Sequence, residues 1–453
     1  MRTVRIGLLG LGRVGGAVVR SAGPAAPWIA STGLTFAFER ALVRDVTRPG
    51  RPPNVPLVDH PQAFLAGTYD LVVEALGGVE PARSLVTTLL GRGTPVVTAN
   101  KSLLAAAARD LAAAAVRGRT VLRYEATALA GVPFIGTLGA RPLARAVERL
   151  AGIVNGTSNF ILSAMEADGL SFTEALSRAQ TLGLAEPDPR ADIEGCDALE
   201  KLVLLIRHLG AGEVRPETVE RRGIDGLETA DLTAARAFGG CLKPIVHARL
   251  QAQAFDCFVG PAFVEEADPL ARVSGVLNGI RLDGRFVQGL FFSGPGAGPD
   301  VTAATILDDI VEAVREATSS NLVEPARTPS NLLEPVRTHA NPLEPVPCES
   351  RWFLRLALSS RTQGWPLVSD RLAAGGVYLD RTSTPRAEAG SERLWALTHR
   401  ASRESIDAAI ESLADAAGAR TLALRVLESG VPVRHETPAF RGFARPALSG
   451  VEG

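Results

Sequence analysis

The chain has 453 residues, 46% of them hydrophobic, and a net charge of −1 from 48 basic and 49 acidic side chains. That length excludes a peptide or mini-protein and calls for about two to four domains, while the balanced charge leaves no field to draw nucleic acid or anionic lipid. The apolar runs Leu103 to Leu111 and Leu202 to Ile206 are too short or too broken by charge to span a bilayer. The first ten residues lack the apolar stretch of a secretory leader, so a cytoplasmic protein is expected. Cys196, Cys241, Cys257 and Cys348 stand far apart with no CxxC pair, and the histidines form no HxxxH, which signals neither a zinc site nor a disulfide framework. Nearly all basic residues are arginine, and lysine occurs only at Lys101, Lys201 and Lys243. Arginine replaces a solvated lysine readily but not an ammonium that must hand over a proton, so these lysines are candidate catalytic groups.

In chain order, the apolar run Val4 to Leu9 enters Gly10-Leu11-Gly12-Arg13-Val14-Gly15 and then the helical pattern Val14 to Arg20. GxGxxG between a strand and a helix is a dinucleotide fingerprint: the glycines permit a tight turn and close approach to a pyrophosphate, and the helix N-terminus offers amides and positive dipole. Strand-like runs at Phe36 to Val43, Asp70 to Ala75, Pro95 to Thr98 and Thr120 to Tyr124 alternate with helix-length segments such as Ser102 to Arg117. Residues 1–135 therefore predict a Rossmann-type, doubly wound parallel sheet in an α/β protein. Glu39 and Asp45 both qualify as the acidic residue that meets a ribose, while Arg44 is suited to a 2′-phosphate, which leaves NAD and NADP open. Thr98-Ala99-Asn100-Lys101 brings Lys101 to the carboxyl ends of the strands, where ligands of open α/β sheets bind.

Residues 136–299 change to longer helices, Ser171 to Leu182 and Asp197 to Leu209, mixed with alternating runs Phe255 to Val259 and Arg285 to Phe292, and predict an α+β substrate and dimerisation domain. Its densest stretch runs from Leu182 to Lys201. Asp197 and Lys201, four apart, share a helix face, and the apolar Leu202 to Ile206 buries that helix, where an ion pair needs more reason than stability. Carboxylates at Glu186, Asp192 and Asp197 around a lysine suit a zwitterionic substrate: acids hold its ammonium while the lysine handles a proton. The turn Gly294 to Gly298 leads into the helical pattern Thr302 to Ala317, so residues 300–318 are expected to pack back on the first domain. Residues 319–349 carry three near-copies of a ten-residue unit, SNLVEPARTP, SNLLEPVRTH and ANPLEPVPCE, too short and proline-broken for a solenoid and expected to form an extended linker. From 350 to 430, Trp352 to Leu358, Val377 to Thr382, Arg393 to Thr398 and Thr421 to Leu427 read as strands, and Pro366 to Ala374 and Glu404 to Ala417 as helices. This βαββαβ order predicts a ferredoxin-like module. Residues 431–453 are expected to form a flexible tail.

The motifs GLGRVG (10–15), TANK (98–101), YEAT…AGVP (124–133), GIVNGTSNFIL (152–162), LGLAEPDPRADIEGCDALEKL (182–202), NGI (278–280) and GPGAG (294–298), in that order, resemble those of homoserine dehydrogenases over most of residues 1–318. The resemblance implies NAD- or NADP-dependent interconversion of L-homoserine and L-aspartate 4-semialdehyde, in the aspartate pathway to threonine, methionine and isoleucine. It further implies Lys201 as proton donor and acceptor, Lys101 as its partner near substrate and nicotinamide, Glu186 and Asp197 as ligands of the amino acid, and Asp192 as their support. Gly10, Leu11, Gly12, Arg13, Val14, Gly15, Arg44, Lys101 and Gly298 would meet the cofactor. A monovalent cation such as sodium would be held by the carbonyls of Glu125, Ala128, Ala130 and Val132, and Leu129 stands there where a glycine is common. The C-terminal module resembles an ACT domain, which implies an amino-acid effector, although its Ser359 to Trp365 loop lacks the usual acidic and glycine pattern. A homodimer or homotetramer is implied.

In the reducing direction negative charge grows on the substrate oxygen and an ammonium protonates it. A lysine does this best with a depressed pKa, expected at Lys101 and Lys201 from partial burial and mutual repulsion. The competing readings are another Rossmann oxidoreductase of a related amino acid or semialdehyde, and a non-catalytic nucleotide-dependent amino-acid sensor. The block from Glu186 to Lys201 argues against the first, and the intact set of lysines and acids against the second.

Overall fold

The computed structural model describes residues 1–139, 146–209, 212, 214–251, 254–319, 343–346, 348–358, 364–384, 386–388, 391–417 and 419–428. The amino-terminal part runs β1 (Arg2–Leu9), α1 (Arg13–Ser31), β2 (Leu34–Leu42), β3 (Leu57–Val58), α2 (Pro61–Leu65), β4 (Leu71–Glu74), α3 (Ala82–Gly91), β5 (Val96–Thr98), α4 (Lys101–Gly118), β6 (Leu122–Arg123) and α5 (Ile135–Gly139). Val4, Ile6, Leu8 and Leu9 of β1 and Leu71 to Val73 of β4 are fully buried, as expected of strands covered on both faces. Six parallel strands line up as β3-β2-β1-β4-β5-β6, the doubly wound dinucleotide-binding order. Its switch point lies between β1 and β4, so the turns after these two strands diverge and leave a crevice at their carboxyl ends. Helix α1 runs well beyond the predicted Arg20, through Pro24 and Pro27. Both prolines are exposed, so water can take up the carbonyls they leave unpaired.

The next part comprises β7 (Arg149–Ile153), α6 (Gly156–Asp168), α7 (Phe172–Thr181), α8 (Arg190–Ile193), α9 (Cys196–His208), β8 (Glu220–Arg221), α10 (Thr229–Ala237), β9 (Gly240–Leu250), β10 (Ala254–Glu265), β11 (Leu277–Gly284), β12 (Val287–Pro295) and α11 (Pro299–Ser319). Strands β12-β11-β7-β9-β10 pair antiparallel. Helix α9 lays Leu202, Leu205 and Ile206 in one apolar cluster with Val246, Ala248, Ile280 and Leu282 of this sheet. The pairing is richer in strand than the sequence predicts. Pro244 and Pro261 interrupt the apolar runs of β9 and β10, yet Pro261 falls between the residues of β10 that pair with β8 and with β18, and Pro244 lies beyond the residues of β9 that pair with β7, so no ladder hydrogen bond is lost at either. Helix α11 returns to the first sheet: Ala303, Ile306, Leu307 and Ile310 share a cluster with Val4, Ile6 and Val97, against which Ala99 packs.

The last part holds β13 (Glu344–Pro345), β14 (Trp352–Leu358), α12 (Gly364–Ala374), β15 (Leu379–Thr382), β16 (Arg386–Glu388), β17 (Ser391–Thr398), α13 (Arg403–Ala417) and β18 (Arg420–Leu427). Here the strands line up as β18-β14-β17-β15, with β16 pairing antiparallel with β17. Along the outer edge of β10, β13, β8 and β18 pair in succession, each over two residues and each parallel, so the last part continues the second sheet. The repeats fall outside the described residues except at their end, where Glu344 and Pro345 pair with β10. The loop from Ser359 is described only from Gly364, and the tail from 431 lies outside the described residues. No described helix is long and apolar enough to cross a membrane.

Candidate active site

At the switch point Gly10 takes φ +98°, and its amide donates to the Leu42 carbonyl (3.0 Å). A Cβ at this position would stand 2.6 Å from the Ala75 oxygen, so only glycine lets the turn cross the end of β4. Beyond it the surface opens: nothing lies within 4 Å of a Cβ built on Gly12. Gly12 caps α1 without a side-chain hydrogen bond, which leaves the first amides of a 19-residue helix free for an anion. Leu11, Val14 and Gly15 are wholly or partly covered, while Arg13 is exposed. These features fit a dinucleotide pyrophosphate. Glu39 lies inside β2 rather than at its end and cannot follow the strand to a ribose. The Asp45 carboxylate is engaged by the Thr47 amide (2.8 Å) and hydroxyl (2.6 Å), whereas the exposed Arg44 side chain has no hydrogen-bond or ion-pair partner among the described residues.

Two strands on, Glu74 closes β4 with none of its surface exposed. It accepts from the Thr98 hydroxyl (2.5 Å), the Asn100 amide group (3.2 Å) and the Leu76 N–H (2.8 Å), and burial raises its pKa. Asn100 also donates to the Gly78 carbonyl (2.7 Å) and caps α4 by accepting from the Leu103 N–H (3.0 Å). This network fixes the turn so that Lys101 becomes the first residue of α4.

Across from it, α9 opens with Asp197 in its first turn, where the helix dipole favours a carboxylate. Asp197 joins the two lysines: one oxygen accepts from Lys101 Nζ (2.5 Å) and the other pairs with Lys201 Nζ (3.1 Å). Lys101 also pairs with Glu200 (2.8 Å), and Lys201 donates to the Val154 carbonyl (2.7 Å). The Asn155 amide donates to both Asp192 (2.7 Å) and Asp197 (2.9 Å), while its oxygen caps α6 at the Ser158 N–H (2.8 Å). Although burial works to raise it, the Asp197 carboxyl is held well below the usual carboxylate range by Lys201, then Lys101, then the Asn155 hydrogen bond. Asp192 moves the other way, raised by burial and by the charge of Asp197.

The sequence leads one to expect a depressed pKa at Lys101, and the structure overturns this. Burial does push it down, but Asp197 and Glu200 outweigh burial and the net shift is upward. Lys101, Lys201, Asp192 and Asp197 are thus brought together as expected. Glu186 is not joined to them: it is exposed, and only its carbonyl is engaged, by Gln180 (3.3 Å). Asn155, Glu74 and Glu200 were missed, although an Asn-Gly pair just before a helical pattern is an N-cap signal that points to Asn155.

Near the end of β6, the Glu125 carboxylate accepts from the Ile135 (2.9 Å) and Gly136 (2.6 Å) amides and its own N–H donates to Asp309 (3.0 Å). Ala128, Ala130 and Val132 are buried beside it. The Ala130 carbonyl accepts from the Thr305 hydroxyl and that of Val132 from the Phe134 amide (2.8 Å). Each of these two oxygens keeps a second lone pair, the kind of donor a hard cation takes. Gly298, at φ +129°, precedes α11, whose Ala303 packs in the cluster that also holds Leu11.

A doubly wound sheet with open helix amides at its switch point, together with ammonium groups that share one carboxylate at the start of the helix after β5, is the architecture of an NAD(P)-dependent oxidoreductase, and this chain is one of them. Residues 10–125 match the family model for the NAD-binding domain of homoserine dehydrogenase, and residues 133–311 match the homoserine dehydrogenase model itself. The chain belongs to the homoserine dehydrogenase family. It is 38% identical over 321 residues to the homoserine dehydrogenase of Mycobacterium leprae, covering 69% of this chain and 73% of that one. It is 31% identical over 434 residues to that of Pseudomonas aeruginosa, covering 91% and 96%. The crystal structure of a homoserine dehydrogenase from Thiobacillus denitrificans is similar with a TM-score of 0.85 at 31% identity, over 95% of this chain and 99% of that one.

Proposed function

We propose that Lys201 moves the proton in this chain's interconversion of L-homoserine and L-aspartate 4-semialdehyde, that Lys101 is a fixed positive charge beside it, and that NADP(H) is the preferred nucleotide. The observation that carries this reading is the sharing of Asp197, in the first turn of α9, by Lys101 at the start of α4 and Lys201 one turn further along α9. The bound nicotinamide supplies or accepts the hydride. Lys201 has three N–H donors, of which Val154 and Asp197 take two. The third is free for the substrate oxygen: it protonates that oxygen when the aldehyde is reduced, and Lys201 recovers the proton when homoserine is oxidised. Lys101, held charged by Asp197 and Glu200, stabilises the developing negative charge without giving up its own proton. Both Asp197 oxygens already serve the lysines and Asn155, so its part in amino-acid binding is to orient them. The unengaged carboxylate of Glu186 is then the group for the substrate ammonium, with Asp192 supporting the cluster through Asn155.

Lys201→Ala should cut turnover by roughly a thousandfold, as expected for loss of a general acid–base group, with little change in the KM for homoserine. Nicotinamide absorbance reads both, and unchanged turnover sinks the proposal. Gly10 to Gly15 and Gly298 would hold the nucleotide, and Arg44 the 2′-phosphate. Arg44→Ser should raise the KM for NADP by about tenfold and leave that for NAD unchanged. Equal effects on both would assign Arg44 no part in the choice.

The same reading takes residues 1–135 with 300–318 as the nucleotide domain, 136–299 as the substrate and dimerisation domain, 319–349 as linker and 350–430 as an ACT-like module. The β18-β14-β17-β15 order supports the last of these, being that of a ferredoxin-like βαββαβ unit. An amino-acid effector there, a monovalent cation on the carbonyls of Glu125, Ala128, Ala130 and Val132, a homodimer or homotetramer and a cytoplasmic location complete the proposal.

A further inference from the structure

Asn278 lies near the start of β11 with 1% of its surface exposed, in register with Gly294 of β12. Both polar atoms of its side chain, Oδ1 and Nδ2, are buried without a hydrogen-bond partner. A buried amide left unpaired costs stability, so a residue that only had to fill this space would be apolar. The side chain lies against Gly296, where a Cβ would come within 2.0 Å of Nδ2 and 2.5 Å of Oδ1, so any larger residue at 296 would push the Asn278 amide out of its place. Gly296 belongs to the loop Gly294–Gly298 between β12 and α11. Pro295 of that loop accepts from the Gly131 amide (3.0 Å), and Gly298 from Thr302 (2.9 Å), but the backbone groups of Gly296 and Ala297 make no hydrogen bond among the described residues. Unanswered donors and acceptors therefore lie on both sides of one close contact.

The start of β11 reaches the substrate cluster as well. The Leu277 carbonyl accepts from Asn159 of α6 (3.1 Å), and the Val276 oxygen would stand 2.9 Å from a Cβ on Gly156, the residue after Asn155. One short stretch of chain thus touches the glycine loop on one side and, on the other, the helix whose cap holds Asp192 and Asp197.

We propose that Asn278 is a positioning residue that latches the Gly294–Gly298 loop: with nucleotide bound, a small shift of the loop gives its amide the backbone partners it lacks in the arrangement described above. This rests on the reading that Gly298 touches the nucleotide. The shift changes no covalent bond, and its driving force is the pairing of groups buried unpaired beforehand. Removing the amide should therefore weaken nucleotide binding while sparing, or even raising, the stability of the free protein. A merely structural asparagine would give the opposite pattern.

The test uses the full chain with Asn278→Leu, similar in size but without polar atoms, and Asn278→Ala, which also relieves any crowding. Thermal unfolding without nucleotide and the Kd for NADPH from nicotinamide fluorescence are measured for each. The expected result is a Kd weakened by about tenfold or more, the scale of one buried hydrogen bond between Asn278 and the loop, with a Tm no lower than that of the parent chain in at least one variant. The thermal shift that NADPH gives the parent should shrink in step. A smaller loss of affinity, or a loss matched by a lower Tm in both variants, overturns the latch. Failure of the parent chain to bind NADPH would instead overturn the nucleotide reading on which the latch rests.

Discussion

Lys243 lies on β9 with 2% of its surface exposed and donates to the Val273 carbonyl (2.9 Å), while Lys101 opens α4 between two carboxylates. Both ammonium groups lose water, and burial lowers the pKa of each. At Lys243 burial dominates, the neighbouring Cys241 thiol and the Glu166 carboxylate compensate too weakly, and the net shift is downward. At Lys101 the opposing groups are Asp197 and Glu200 in direct contact, and the net shift is upward. Rarity of lysine in the chain is common to both. What separates a site from a packed cation is whether acids converge on it, and that depends on which helix ends meet.

The strongest way to break this contrast is to remove the shared acid. Asp197→Asn leaves Lys101 and Lys201 close together with their common counter-charge gone. Breaking a buried ion pair on one side costs about 3–5 kcal/mol of stability, and with neither ammonium held in place catalytic efficiency should fall by more than about a hundredfold, read by nicotinamide absorbance. The pH dependence of stability follows from the sign of the shift. The Asp197 carboxyl is depressed on folding, so its stabilisation is present above its unfolded value of 3.8 and is lost as pH falls below it. The acid limb of the parent's Tm profile should accordingly be flatter in Asp197→Asn. A variant of normal efficiency would show that the cluster is an ordinary ion-pair network.

A smaller effect is expected from Asn155→Ala. It takes one donor each from Asp192 and Asp197 and also uncaps α6, a loss of about 1 kcal/mol of stability for the cap alone. Turnover should drop by roughly tenfold or more, with the Tm lowered by a few degrees. If only the Tm responds, Asn155 is a cap and no more.

The parts legible in the sequence were those written locally. The strand, glycine turn and helix of residues 2–31 are contiguous, and so are Asp197 and Lys201, whose spacing fixes a common helix face. The contacts that decide the behaviour of the site join distant segments. Lys101 and Asp197 lie 96 positions apart, Asn155 and Asp197 lie 42 apart, and no period or motif announces such a pairing. That is why a lowered pKa was expected at Lys101: the two ammonium groups were legible, but the acid seated between them and the reach of Glu200 were not. The second sheet was under-read for a related reason, since Pro244 and Pro261 are tolerable in β9 and β10 only because each falls where no neighbouring strand is paired.

The finest discrimination between the two lysine environments comes from replacing each by methionine, which keeps the stem and removes the charge. Lys101 has its pKa raised on folding, so its contribution is fully present below the unfolded value of 10.5 and is lost as pH rises through the higher folded value. Lys101→Met should therefore lower the Tm at neutral pH, with the deficit shrinking in strong alkali. Lys243 is depressed on folding, so its burial is a penalty at neutral pH that fades as pH rises toward 10.5. Lys243→Met should leave the neutral Tm unchanged or higher, because a well-packed apolar side chain replaces a poorly compensated charge, and turnover should stay within about twofold of the parent. Two lysine-to-methionine changes that move the neutral Tm in the same direction would remove the distinction, since only neighbouring acids give them opposite signs.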